Sequence, residues 1–199
     1  PYSPPLFEGR IMDKAPERGD IAVFKLPSDN KTDYIKRVIG VPGDSVALVN
    51  GQVILNGEPV PREAMPDFEI PLSPNTGCAW GGEQVTNTAG KAVCRYRRFR
   101  ETLPGGRSYE VLDFGNVPAD TLAPKIIPEG HMFVMGDNRD NSRDSRFEAR
   151  AGDAVGIVSQ DLLVAEATVI IWSTDGSASW ANPISWFTAT RWDRIGGTI

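Results

Sequence analysis

Val46-Ala47-Leu48-Val49-Asn50-Gly51-Gln52-Val53-Ile54-Leu55-Asn56-Gly57 is the stretch that decides the fold. Two short β-rich runs each end on Asn-Gly, the dipeptide that best accepts the positive φ angles of a tight type I′ hairpin. Two such turns six residues apart predict an antiparallel meander. Working outward, further strands are expected at Asp20–Leu26, Tyr34–Ile39, His131–Met135, Val155–Val158 and Ala167–Trp172, with Pro27, Gly40 and Pro42-Gly43-Asp44 among the breakers. The 20 glycines and 16 prolines in 199 residues favour short strands and turns over long helices. The expected class is mainly β.

From about Pro59 to Pro128 the strand pattern weakens. The expected organisation is a core β domain built from 1–45 and 129–199, with a second β subdomain inserted at 46–128. Inside that insertion Arg95, Arg97, Arg98 and Arg100 sit beside Glu101 and Glu110 and read as a solvated charged face. With 40% apolar and 24% charged residues the chain can bury a real core. A net charge of −5 argues against a nucleic-acid partner, which needs a basic face. One histidine, His131, and two cysteines, Cys78 and Cys94, are too few for a His/Cys zinc site. No metal or other cofactor is expected.

Two segments carry candidate chemistry. Tyr34-Ile35-Lys36-Arg37-Val38-Ile39 places adjacent cations in a β run, so alternation sends Lys36 to the face of Tyr34 and Val38, and Arg37 to the face of Ile35 and Ile39. Arginine stays charged, whereas a desolvated lysine sheds its proton and becomes a base. An edge strand guarded by lysine is the plainer alternative. The second segment is Gly136-Asp137-Asn138-Arg139-Asp140-Asn141-Ser142-Arg143-Asp144-Ser145-Arg146, in which nothing is apolar. Three arginines against three aspartates suit a rigid polar network. Asp140, Ser142 and Asp144 alternate as in a calcium loop, but Ser145 stands where that loop needs glycine and Ala151 where it needs glutamate.

That second segment resembles, position by position, the signature loop of bacterial type I signal peptidases. Asp33-Tyr34-Ile35-Lys36-Arg37-Val38-Ile39-Gly40-Val41-Pro42-Gly43-Asp44 resembles the segment carrying the family's general base. Arg18–Lys25 is similar to the strand before it, and Arg194-Ile195-Gly196-Gly197 to the C-terminal end. The resemblance implies twisted antiparallel sheets of the signal-peptidase type and a Ser-Lys dyad peptidase. Lys36 would be the general base and Ser142 would orient its amine. Asp144 and Arg146 would pair to brace the loop, helped by Asp137 and Arg139, while Phe24, Tyr34 and Val134 would pack around the lysine stem. It also implies preprotein substrates with Ala-x-Ala type signal peptides, action at the membrane surface, and a bacterial inner membrane location with the catalytic domain facing the periplasm. In that oxidising compartment a Cys78–Cys94 disulfide is expected, with two buried free thiols as the other outcome. Trp180, Trp186 and Trp192, with Ile184 and Phe187, suit either a bilayer interface or core packing.

One departure from the family matters most. Its nucleophile lies in a Ser-x-Met-x-Pro motif before the strand at Asp20, and no such motif occurs in the 199 residues. Ser3, followed by Pro4 and Pro5, is a poor substitute. The expectation is a soluble part whose motif and membrane anchor lie upstream, and which alone does not cleave. Glu148–Ala154 reads as a local insertion. Two alternatives stand beside the peptidase: a signal-peptide-binding homologue without catalysis, and another Ser-Lys protease such as a self-cleaving repressor or a conjugation-system peptidase.

Overall fold

The computed structural model describes residues 15–73, 75, 77–79, 81–179 and 181–198. Ser3 and Trp180 lie outside the described residues. The strands run β1 Ile21–Lys25, β2 Asp33–Gly40, β3 Ser45–Val49, β4 Gln52–Leu55, β5 Glu58–Pro59, β6 Arg62–Pro71, β7 Glu83–Thr86, β8 Ala92–Thr102, β9 Ser108–Leu112, β10 Leu122–Ile126, β11 His131–Met135, β12 Val158–Ser159 and β13 Leu163–Glu166. A short helix, α1, covers Pro183–Ala189. The protein is mostly β, in several antiparallel sheets.

The chain divides into two compact units, 1–64 with 99–167, and 65–98 with 168–199. The segment 46–128 therefore contributes to both. In the first unit, one sheet has the order β12-β11-β2-β1-β13 and another the order β10-β3-β4-β5. The meander forms as the Asn-Gly pairs require. Val49 pairs with Gln52 across Asn50-Gly51, and Leu55 with Glu58 across Asn56-Gly57. All four turn residues have positive φ, between 50° and 85°, which is the type I′ geometry.

Alternation along β2 and β11 gives the five-stranded sheet two buried faces. Ile39, Phe133 and Met135 pack with Val46, Leu48, Val53 and Leu55 of the other sheet, and with Leu103, Tyr109 and Val111. On the opposite face Ala22, Phe24, Val38, Met132 and Val134 pack with Val155 and Val158. β2 lies between β1 and β11, so its side chains are walled on both flanks.

Two expected strands sit elsewhere. Only Val158 of Val155–Val158 is in a strand, and the strand that pairs with β1 is Leu163–Glu166, not Ala167–Trp172. Ile171 and Trp172 are exposed, and Val169 makes only an isolated bridge to Thr198. Glu148–Ala154 closes as a turn, with the Arg150 amide donating to the Ala154 carbonyl at 2.9 Å.

The second unit holds β7 and a disulfide between Cys78 and Cys94 that closes a 16-residue separation. Near its C-terminal end Ile171, Trp172, Ile184, Phe187 and Trp192 are all exposed, while Trp186 is partly buried. Among the described residues no helix is long and apolar enough to cross a membrane.

Candidate active site

Lys36 lies in the middle of β2, facing Ala22 of β1 across the ladder. Its face also carries Phe24, Tyr34, Val38 and Val134. Phe24, Val38 and Val134 are fully buried, and the Phe24 and Tyr34 rings lie 6.4 Å apart. The amine is thus rooted among apolar side chains while remaining half-buried itself. Burial pushes its pKa below the ordinary lysine value. Asp144 and Asp137 pull it back up and Arg146 pushes it further down. An amine depressed mainly by desolvation is one that can accept a proton.

Arg37 occupies the other face. It is buried, donates a bidentate pair of hydrogen bonds to Asp137 (Nε and Nη2, both 2.8 Å), and donates to the Gly19 carbonyl at 2.9 Å. Its guanidinium lies 4.5 Å from the centre of the Tyr109 ring. Both cations of the strand are therefore enclosed, Arg37 more completely than Lys36.

The polar loop starts where β11 ends. Met135 pairs with Arg37, so Gly136 stands level with Lys36 one step further on. The Gly136 amide donates to Asp144 Oδ2 at 3.0 Å. Asp144 is wholly buried and also accepts from Arg146: Nε at 2.9 Å, Nη2 at 3.0 Å and the backbone amide at 3.2 Å. Arg146 also donates to the Arg139 carbonyl, and lies 3.8 Å from Asp120. Ser145 anchors the loop to β11, its Oγ accepting from the Val134 amide at 2.9 Å and donating to the Gly156 carbonyl.

Ser142 is buried and packs over Gly136. A Cβ on that glycine would come within 2.3 Å of Ser142 Oγ, so only glycine fits beneath the serine. Ser142 Oγ has no hydrogen-bond partner. The hydrogen bond expected from Lys36 to Ser142 is therefore not formed here, although Ser142 sits on the residue level with Lys36. The loop also lines a cavity of about 470 Å³, through Arg139, Asp140 and Ser142, with Val117, Pro118 and Phe147.

Arg139 does not pair with Asp137. It is buried against Glu101 of β8, with Nη1 donating to Oε1 at 2.8 Å and Nη2 to Oε2. Tyr109 of β9 donates to the same carboxylate at 2.9 Å. This corrects the reading of Glu101 as part of a solvated face, since Glu101 is 1% exposed. Arg95 and Arg100 do meet surface acids, Glu69 at 3.0 Å and Glu110 at 3.8 Å. Among the described residues no group of His, Cys, Asp and Glu is arranged to hold a metal ion.

The site is thus a half-buried lysine with a lowered pKa beside a braced polar loop. The model of the family "Signal peptidase, peptidase S26" matches residues 6–172. The chain belongs to that family. Signal peptidase I of Rickettsia prowazekii (strain Madrid E) is 32% identical over 207 residues, covering 96% of this chain and 68% of the relative. Signal peptidase I of Rickettsia canadensis (strain McKiel) is 33% identical over 208 residues, with the same coverage. A crystal structure of a signal peptidase I from Enterococcus faecalis V583 aligns with 78% of this chain and 98% of its own, at 24% identity and a TM-score of 0.38. As a signal peptidase the chain is a hydrolase of peptide bonds, from a membrane-associated family that removes signal peptides.

Proposed function

We propose that this signal peptidase works through a Ser-Lys dyad in which Lys36 is the general base. The observation that carries the reading is the half-buried amine of Lys36, its pKa lowered by burial on a face shared with Phe24, Tyr34, Val38 and Val134. A neutral amine there takes the proton from a serine hydroxyl as its oxygen attacks the scissile carbonyl. The resulting ammonium returns that proton to the leaving amine, and the Lys36 amine, neutral again, then takes a proton from the water that releases the acyl group. The reading requires a Ser-x-Met-x-Pro segment N-terminal to β1, and none occurs in the 199 residues.

Ser142 is the group that orients the amine. Its buried hydroxyl lacks a partner, and a neutral amine both donates and accepts hydrogen bonds. The Asp144–Arg146 pair braces the loop, and Asp137 with Arg139 tie it to β2 and β8. In this reading the substrates are preproteins whose signal peptides end in Ala-x-Ala, cut at the membrane surface on the periplasmic side of the inner membrane. The exposed Trp172, Ile184, Phe187 and Trp192 support contact with an interface, where amphipathic aromatic rings are favoured.

The test uses the protein that carries the serine segment. Lys36→Met keeps the apolar stem and removes the amine, so turnover of a preprotein should fall about 10³-fold or more while the melting curve persists. Undiminished turnover by the folded variant refutes Lys36 as the base.

A further inference from the structure

The polar loop beside Lys36 is held from a strand that the dyad mechanism does not use. Glu101 of β8 is 1% exposed and Arg139 is 2% exposed, so their ion pair is among the most enclosed polar contacts in the unit. Two parallel N–H···O bonds fix the guanidinium in a plane, as only a fork geometry can. Tyr109 adds a third bond to the same carboxylate. Burial beside this carboxylate raises the Tyr109 pKa, so its phenol stays a donor.

From Arg139 the contacts run directly toward Lys36. The Arg139 carbonyl accepts from Arg146, Arg146 is gripped by Asp144, and Asp144 accepts from the amide of Gly136, which stands level with Lys36. Arg139, Asp144 and Arg146 in these links are buried, and each makes more than one hydrogen bond. The charged groups that act on Lys36 are Asp144, Arg146 and Asp137. Two of these three belong to that chain. The third, Asp137, is bound by Arg37, whose guanidinium stacks on the Tyr109 ring. Tyr109 donates to Glu101, so both routes to Lys36 meet at one carboxylate.

We infer that Glu101 is a positioning residue for the catalytic lysine, holding the loop of Asp137–Arg146 against β2 through Arg139 and Tyr109. The inference rests on Lys36 being the base. Without the Glu101 fork, buried Arg139 loses its paired carboxylate and the loop moves to hydrate it. Water then reaches the Lys36 amine and its desolvation falls.

The experiment is a titration of lysine side chains by NMR in the 199-residue chain, which has only six lysines, assigned by loss of a signal in Lys36→Met. In Glu101→Gln the Lys36 midpoint should move up toward the ordinary lysine range, with the remaining lysines as controls. If Glu101→Gln fails to fold, the double variant Glu101→Gln with Arg139→Gln leaves no stranded charge, and Lys36 should move in the same direction. A purely structural role would lower the melting temperature and leave the Lys36 midpoint where it was. An unchanged midpoint in either folded variant overturns the inference. Failure of the underlying reading is separate: it shows as turnover that survives Lys36→Met in the serine-bearing protein, whatever Glu101 does.

Discussion

Replacing Asp144 with alanine tests whether the polar loop is a supporting frame. Asp144 is 0% exposed and accepts four hydrogen bonds, from the Gly136 amide at 3.0 Å and from Arg146 at 2.9, 3.0 and 3.2 Å. Alanine removes every one of them. Arg146, whose side chain is 1% exposed, keeps the Arg139 carbonyl and the more distant Asp120 at 3.8 Å, and loses its one bidentate carboxylate partner among the described residues. Breaking a buried pair by deleting one partner strands a charge, at a cost of about 3–5 kcal/mol. At roughly 2–4 °C per kcal/mol for a chain of this size, the melting temperature should fall by roughly 6–20 °C. Urea unfolding gives the free energy directly. Arg143 and Asp153, 3.3 Å apart with side chains 58% and 38% exposed, supply the control. Asp153→Ala should cost under about 1 kcal/mol, as exposed pairs do. An Asp144→Ala loss no larger than that of Asp153→Ala would refute the reasoning.

Two further outcomes are expected. Gly136→Ala puts a methyl 2.3 Å from Ser142 Oγ and 2.6 Å from Ser142 Cβ, which should cost about 1–3 kcal/mol by urea unfolding, and a curve superimposable on the parent's would show the serine is not seated there. Lys36→Met should stabilise most at low pH. The folded pKa of Lys36 lies below its unfolded value, so stability rises with pH between the two, and below both the folded state bears the full cost of a charged, half-buried amine. The gain in melting temperature from the substitution should therefore shrink as pH climbs toward the ordinary value near 10.5; a gain that grows with pH would reverse the sign of the argument.

The parts of the fold that local chemistry determines were legible in the sequence. Asn50-Gly51 and Asn56-Gly57 specify their own turns, because few other residues accept positive φ twice in succession. β1, β2 and β11 showed through their apolar content and their breakers. Ala167–Trp172 misled because an apolar run carries no period to distinguish a paired strand from an exposed one. β1 pairs instead with Leu163–Glu166, across a register shift between Val23 and Phe24 that no local pattern announces. At the site, the loop and Lys36 stood out by composition and resemblance. Glu101 did not, because its partner Arg139 lies 38 residues away and the arginines Arg95, Arg97, Arg98 and Arg100 precede it in the chain. A charge at the end of a basic run looks solvated until tertiary structure buries it.

The order Lys36-Arg37 then has a physical meaning that neither residue has alone. Strand alternation must send adjacent side chains to opposite faces of the sheet. Arginine cannot lose its proton, so it needs a face that offers a counter-charge. Arg37 finds Asp137, the Gly19 carbonyl and the Tyr109 ring. Lysine can lose its proton, so it tolerates the face of Ala22, Phe24, Val38 and Val134, where burial lowers its pKa as the proposed role of base requires. Exchanging the two would put a permanent cation over Phe24 and Val38, and a titratable amine where a bidentate fork is needed. One strand thus supplies a fixed charge that anchors the loop and, beside it, an amine whose pKa burial lowers, and the separation of the two is set by nothing more than a period of two.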